Sequence, residues 1–229
     1  MSDDVPKKNI LILKASKDIC GNELGLIENH CKLLGMNVYP ETISNEKKLV
    51  KVVSKYSSKS IAFDYIYLCT HGRPNDFLVD IGKVEIEICW SRFAELMCEN
   101  AILKDDSFFL LACCKSGFFQ VATDMMACCN KINFVCGVKW NVASWDLTTG
   151  FVVFIHNLET KQSEPSYAAK KASLATDYTF VAYDRDEVEM SHQYERRKQI
   201  LFEKLVWSNS EGEIIVNDEK ILANITSFE

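Results

Sequence analysis

Short apolar runs bounded by turn residues alternate along this chain with longer stretches in which apolar positions recur every three or four residues. Asn9 to Ala15 (Asn-Ile-Leu-Ile-Leu-Lys-Ala) predicts a first strand, followed by a loop with Asp18 and Gly21. A helix is expected from about Glu23 to Leu34, stopped by Gly35. Met36 to Ile43 predicts a second strand, weakened by Pro40. Ser44 or Asn45 then caps a helix through about Lys55, with Glu46, Lys47, Lys48 and Lys51 on its wet side. Asp64-Tyr-Ile-Tyr-Leu-Cys-Thr-His-Gly72 is a third strand that ends on His71, and Gly72 lets the backbone turn sharply behind it. Phe77 to Ile88 alternates around Ile81-Gly82 like a small hairpin, and Trp90 to Cys98 forms a short helix. The run Phe108 to Ala112 ends abruptly in Cys113-Cys114-Lys115-Ser116-Gly117, a buried strand delivering a thiol to its carboxyl end. A helix is expected from Ser116 to about Cys129 and a strand from Lys131 to Val138. The loop that follows, Lys139 to Asp146, carries Trp140 and Trp145; Leu147 to Leu158 and Ser166 to Ala182 read as helices.

This alternation implies an α/β fold, a mainly parallel sheet with helices on both faces and a small hairpin insertion. Beyond Tyr183 the character changes. Asp184 to Lys198 is densely charged, a solvated face in the first instance and a processing site in the second. Ser208-Asn-Ser-Glu-Gly212 then separates two strand-like runs. Residues 1–183 therefore read as the main domain, and 184–229 as a charged segment and extension packing on it.

With 229 residues and 48% apolar composition, the chain suits one large core with such an appendage. The net charge of −6, with no basic stretch interleaved with aromatics, argues against nucleic acid as a partner. No apolar run reaches membrane-spanning length, and the first eight residues lack a signal-type apolar core, so a soluble, cytoplasmic protein without membrane partners is expected. Ten cysteines call for a choice between disulfides, metal and packing. Without a secretion signal a disulfide framework is not expected. The adjacent pairs Cys113-Cys114 and Cys128-Cys129 do not match zinc spacing, so no metal or cofactor is expected either. Cys20, Cys31, Cys69, Cys89, Cys98 and Cys136 lie in apolar segments and read as small buried hydrophobes.

In an open α/β sheet, active sites form outside the carboxyl ends of the strands. Neighbouring strands tipped with His71 and with a thiol would set an imidazole beside a sulfur, the elements of a cysteine peptidase. With those residues placed, the chain resembles the caspase-like peptidases of clan CD, above all the CHAT family and more loosely the metacaspases. Three blocks carry the resemblance. Thr70-His71-Gly72 is similar to the family's His-Gly, and Ala112-Cys113-Cys114-Lys115-Ser116-Gly117 to its Cys-x-Ser/Thr-Gly. Gly137-Val-Lys-Trp140-Asn-Val142, with Asp146, Thr148 and Thr149, is similar to the segment that opens the CHAT family's final large helix. The match spans roughly Asn9 to Ala182, and the separation 114 − 71 = 43 is near the roughly 50 residues of the caspase signature.

The resemblance implies a caspase-like three-layer sandwich. Two cysteines compete for the nucleophile, and register with Cys-x-Ser-Gly favours Cys114 over Cys113; His71 is then the general base and acid, with an oxyanion hole from the backbone N–H groups of Gly72 and Cys114 and no third catalytic carboxylate. Strand alternation turns Cys113 inward if Cys114 faces the cleft, and the positive end of a helix beginning near Ser116 would favour a thiolate. The substrate would be a protein or peptide, with a regulatory protein partner also in view and a role as effector in a defence or cell-death pathway. Loops at the strand ends nominate Asp18, Trp140 and Asp146 for substrate binding. Against a basic specificity, Ala112 stands where metacaspases carry an acid; Asp18 could replace that charge, but as a lone acid it reads first as a helix cap or solvated loop residue. Trp140 and Trp145 read as pocket walls or as loop anchors. His30, His156 and His192 have no partner motif and read as structural. Two other classes stay open: a catalytically inactive caspase-like interaction module, and a flavodoxin-like domain, which Lys14 to Gly21 disfavours by lacking a glycine-rich phosphate loop.

Overall fold

The structure, a computed structural model, describes residues 7–18, 21–82, 84–193, 206–208 and 214–216. The chain divides into two compact units, residues 1–185 and 186–229. In the first, β1 (Asn9–Lys14), α1 (Gly21–Leu33), β2 (Asn37–Thr42), α2 (Glu46–Ser57) and β3 (Phe63–Cys69) lead into β4 (His71–Gly72), β5 (Asp76–Val79) and β6 (Ile86–Cys89). Then follow α3 (Trp90–Glu99), β7 (Leu103–Ala112), α4 (Phe119–Cys128), β8 (Ile132–Val138), α5 (Ser144–Lys161), α6 (Pro165–Thr176) and β9 (Phe180–Asp184). In the second unit β10 (Val206–Ser208) pairs antiparallel with β11 (Ile214–Val216). The turn expected after Ser208, the charged residues 194–198, and Cys20 lie outside the described residues.

The fold of the first unit is mixed α/β, with a largely parallel six-stranded sheet, order β2-β1-β3-β7-β8-β9, flanked by helices on both faces. Every neighbouring pair is parallel except β8 with β9. Central strands of such sheets are covered on both sides and so read as unbroken apolar runs; Ile10 to Leu13 of β1 are at most 1% exposed. Alternate side chains serve opposite faces. Ile10, Ile12, Tyr65, Tyr67, Leu110 and Ala112 join α1, α5 and α6 in one core. On the other face the Phe93 ring of α3 meets Phe109 of β7 edge-on, and Tyr56 of α2 meets Phe63. Pro40 is tolerated because β2 is an edge strand, paired only with β1. Of the two capping candidates for α2 it is Asn45 whose side chain accepts from Lys48 N–H, at 2.8 Å.

The structure departs from the sequence pattern in several places. The helix expected to run to Ala182 stops at Thr176. Asp177 turns left-handed at φ 59°, and Phe180 to Asp184 becomes the antiparallel edge strand β9. Phe180 sits where a side chain on Gly150 of α5 would overlap its ring, so the glycine makes that packing possible. The helix expected from Ser116 starts only at Phe119, because Lys115 is left-handed (φ 60°) and the Ser116 hydroxyl donates instead to the carbonyls of Leu111 and Cys113. The hairpin turn is wider than expected: β5 ends at Val79, since Asp80 leaves the strand and its N–H donates to Ala15 O at 3.1 Å. Finally, Cys89 is exposed and Cys98 half-exposed, whereas Cys31, Cys69 and Cys136 are buried.

Two histidines meet between α1 and α5. The rings of His30 and His156 lie 5.7 Å apart, and the buried His30 Nε2 has no hydrogen-bond partner among the described residues. Burial, and secondarily the charge of His156, lower the His30 pKa. The folded state thus binds a proton at His30 less readily than the unfolded chain, whose value is about 6.5. The stability from this depressed value is complete above that pH and is lost as pH falls through it toward the folded value. Melting temperature should fall between pH 7.5 and pH 5, and thermal scans of His30→Gln should show a flatter dependence over that range.

Candidate active site

In the parallel pairing of β3 with β7, Cys69 stands opposite Ala112. His71 and Cys114 each lie two residues beyond that last rung. Thr70 N–H donates to Ala112 O at 3.4 Å across the strand ends, and the Thr70 hydroxyl donates to Leu78 O. His71 and Gly72 then form β4, in which His71 pairs with Leu78.

The imidazole of His71 is half-exposed and rests on carboxylates. Its Nε2 is 3.0 Å from Asp18 Oδ2 and 3.9 Å from Asp80 Oδ2. A carboxylate can only accept, so Nε2 carries the hydrogen in this contact. Asp18 is exposed, while the Asp80 side chain is only 7% exposed. Asp80 is held by the loop after β1, accepting from Lys17 N–H at 2.7 Å and from the Ser16 hydroxyl at 3.2 Å. Ser16 Oγ in turn accepts from Asp18 N–H at 3.2 Å. Asp80 thereby gathers the loop that presents Asp18 to the ring. The expectation of Asp18 as a lone acid is corrected: it is one of two carboxylates on His71. Asp18, His71 and Asp80 could each offer one atom to a cation, all within 4.8 Å of one another, but both oxygens of Asp80 already accept hydrogen bonds.

On the other strand the two cysteines part. Cys113 is fully buried, and burial pushes its thiol far above the ordinary range. Cys114 is half-exposed. Its sulfur accepts from Val142 N–H at 3.4 Å and donates to Val142 O at 3.7 Å. Gly72 packs against this turn so closely that a Cβ there would overlap Cys114 O and stand 3.0 Å from Cys113 Sγ. Among the described residues no hydrogen bond joins His71 to Cys114. The first helical residue of α4 is Phe119, which leaves Cys114 outside the first turn where a helix dipole acts.

The loop after β8 closes the rim. Lys115 N–H donates to Trp140 O at 3.2 Å, and Gly117 N–H to Val138 O at 2.8 Å. Gly117 and Gly137 face each other here, and a Cβ on either would overlap the other segment's backbone. The expected loop to Asp146 is shorter, since α5 already begins at Ser144 and takes in Trp145; Trp140 and Trp145 are 61% and 66% exposed, so neither indole is an anchor by burial. Asp146 sits in the first turn of α5, its N–H donating to Ala143 O. Sequence reasoning missed Asp80, whose one signal is an acid inside the apolar run Leu78-Val-Asp-Ile81. It named Val142 within a motif but not as the partner of the sulfur, because only its backbone takes part.

No protein-family model matches this chain, and no curated protein matches it in sequence. Among the described residues no helix is long and apolar enough to cross a membrane.

Two outcomes follow. Gly72→Ala should cost about 1–3 kcal/mol in urea denaturation, the usual range for forcing atoms into a packed site. Limited alkylation with iodoacetamide, mapped by mass spectrometry, should modify Cys114 at least about tenfold faster than Cys113.

Proposed function

We propose that this chain is a cysteine endopeptidase of the caspase-like, clan CD type, with Cys114 as nucleophile and His71 as general base and acid. The observation that carries the reading is the Cys69–Ala112 rung, the last of the adjacent strands β3 and β7, with His71 and Cys114 each two residues further along the chain. The sheet order adds support. The chain passes from β1 to β2 on one side and to β3 on the other, so Asp18 and His71 flank the crevice where open α/β sheets bind ligands. The caspase-like three-layer arrangement and the CHAT resemblance belong to this same proposal.

The chemistry assigns a role to each neighbour. With Nε2–H given to Asp18, the lone pair of the neutral ring is on Nδ1, which takes the Cys114 proton once the ring turns to the sulfur. The thiolate attacks the peptide carbonyl, and the imidazolium returns the proton to the departing amine. Backbone N–H groups of Gly72 and Cys114 would stabilise the oxyanion, each such donor contributing about 2.7–4 kcal/mol. Water then hydrolyses the thioester. Asp18, spent on His71, reads as orienting the imidazole rather than as a receptor for substrate charge, and Asp80 holds Asp18's loop in place. Trp140, Trp145 and Asp146 are left to meet the substrate chain, a protein or peptide. Effector cleavage in a defence or cell-death pathway is the setting this activity suggests.

One observation favours the non-catalytic interaction module: at rest His71 bonds Asp18 and Cys114 bonds Val142, not each other. A peptide-library cleavage screen with purified protein separates the two readings. The peptidase reading expects defined cleavage that Cys114→Ala or His71→Ala lowers by at least about 10³-fold, with both variants still folded. It also expects slower alkylation of Cys114 in His71→Ala, and a lower kcat with little change in KM in Asp18→Asn. Absence of cleavage, with Cys114 labelling indifferent to His71, would assign the module.

A further inference from the structure

Two carboxylates converge on one imidazole at the rim, and among the described residues no lysine or arginine pairs with them. The ion-pair contacts of Asp18 and Asp80 are with His71 alone, at 3.0 Å and 3.9 Å. The Asp80 side chain is only 7% exposed, and its other partners, the Ser16 hydroxyl and Lys17 N–H, are neutral. A buried carboxylate is costly unless its charge is met as well as its hydrogen bonds. A neutral imidazole meets none of that charge, and a protonated one sets a single positive charge against two acids. The three donor atoms lie within 4.8 Å of one another. Around zinc, with nitrogen and oxygen donors at about 2.0–2.2 Å, tetrahedral neighbours stand about 3.4 Å apart, between the 3.0 Å and 3.9 Å found here. Asp80 Oδ2 accepts from the Ser16 hydroxyl at 3.2 Å, but a carboxylate oxygen has two lone pairs, so one is left for an ion. Outer hydrogen bonds of this kind are what orient a ligating carboxylate.

We propose that Asp18, His71 and Asp80 bind a divalent ion of the zinc class, with water in the fourth position. The imidazole nitrogen selects zinc or cobalt over calcium and magnesium, which take oxygen ligands. The donors come from three segments, the loop after β1, β4 and the residue after β5, so no short spacing along the chain announces them. The ion takes the Nε2 lone pair, and the ring hydrogen then sits on Nδ1. Neither ring nitrogen is open to the Cys114 proton in that form, so the ion and the general-base role of His71 exclude each other. This consequence rests on the peptidase reading; the site itself does not. The ion also ties the loop after β1 to the hairpin insertion.

The test titrates the reduced, metal-free full chain with zinc chloride, followed by calorimetry, and with cobalt chloride, followed by absorption. Cobalt should give the weak visible bands of a nitrogen and oxygen site without the intense near-ultraviolet band of a cobalt–sulfur bond. Zinc should raise the melting temperature, since the ion binds the folded chain. Asp18→Asn, whose side chain is exposed and so is not needed for folding, should weaken binding at least about tenfold. His71→Ala should abolish it, and Cys114→Ser should leave it unchanged. No binding, binding that Asp18→Asn does not weaken, binding lost in Cys114→Ser, or a cobalt–sulfur band would each overturn the proposal. The titration uses no substrate, so a negative result leaves the cleavage screen to judge the peptidase reading by itself.

Discussion

The parallel pairing of β3 with β7 is the constraint on which the rest of this molecule depends. Two buried apolar strands side by side fix the height at which both chains leave the sheet, and the register Cys69 to Ala112 makes those exits level. Everything chemical follows from what each chain does in its next two or three residues. One folds into β4 and exposes an imidazole. The other turns through a left-handed Lys115 and leaves one thiol half in solvent and its neighbour sealed. Packing energy is supplied far below, where Tyr67 and Leu110 join one helical layer and Phe109 faces the other.

Around that rim the loops are bound to one another, not simply draped over the sheet. Asp80 belongs to the hairpin insertion yet is hydrogen-bonded by the loop after β1, and Cys114 belongs to β7's end yet is bonded by the loop after β8. The buried carboxylate is satisfied by Lys17 N–H and the Ser16 hydroxyl, as a buried charge must be. The resulting cluster of Asp18, His71 and Asp80 gives the imidazole an acceptor for its Nε2 nitrogen.

Much of this was legible in the chain because the signals are local. Unbroken apolar runs mark β1, β3 and β7, and the dipeptide Cys113-Cys114 at a strand end carries its own in-out alternation. What was not legible depends on contacts distant in sequence. The helical spacing beyond Ser166 continues smoothly into Phe180, and only pairing with β8 and the space at Gly150 convert those residues to a strand. Asp177, which ends α6, carries no glycine or proline to announce the stop. The role of Asp80 rests on a loop more than sixty positions earlier in the chain, and the Val142 contact is made by backbone, which no side-chain pattern records.

The facing glycines 117 and 137 have a mechanical consequence. Bare backbone against bare backbone leaves no compliant layer between the thiol-bearing turn and the strand that leads into the tryptophan loop. The exposed indole of Trp140 belongs to a segment whose own carbonyl accepts from Lys115 N–H, so peptide groups join it directly to the residue after the thiol.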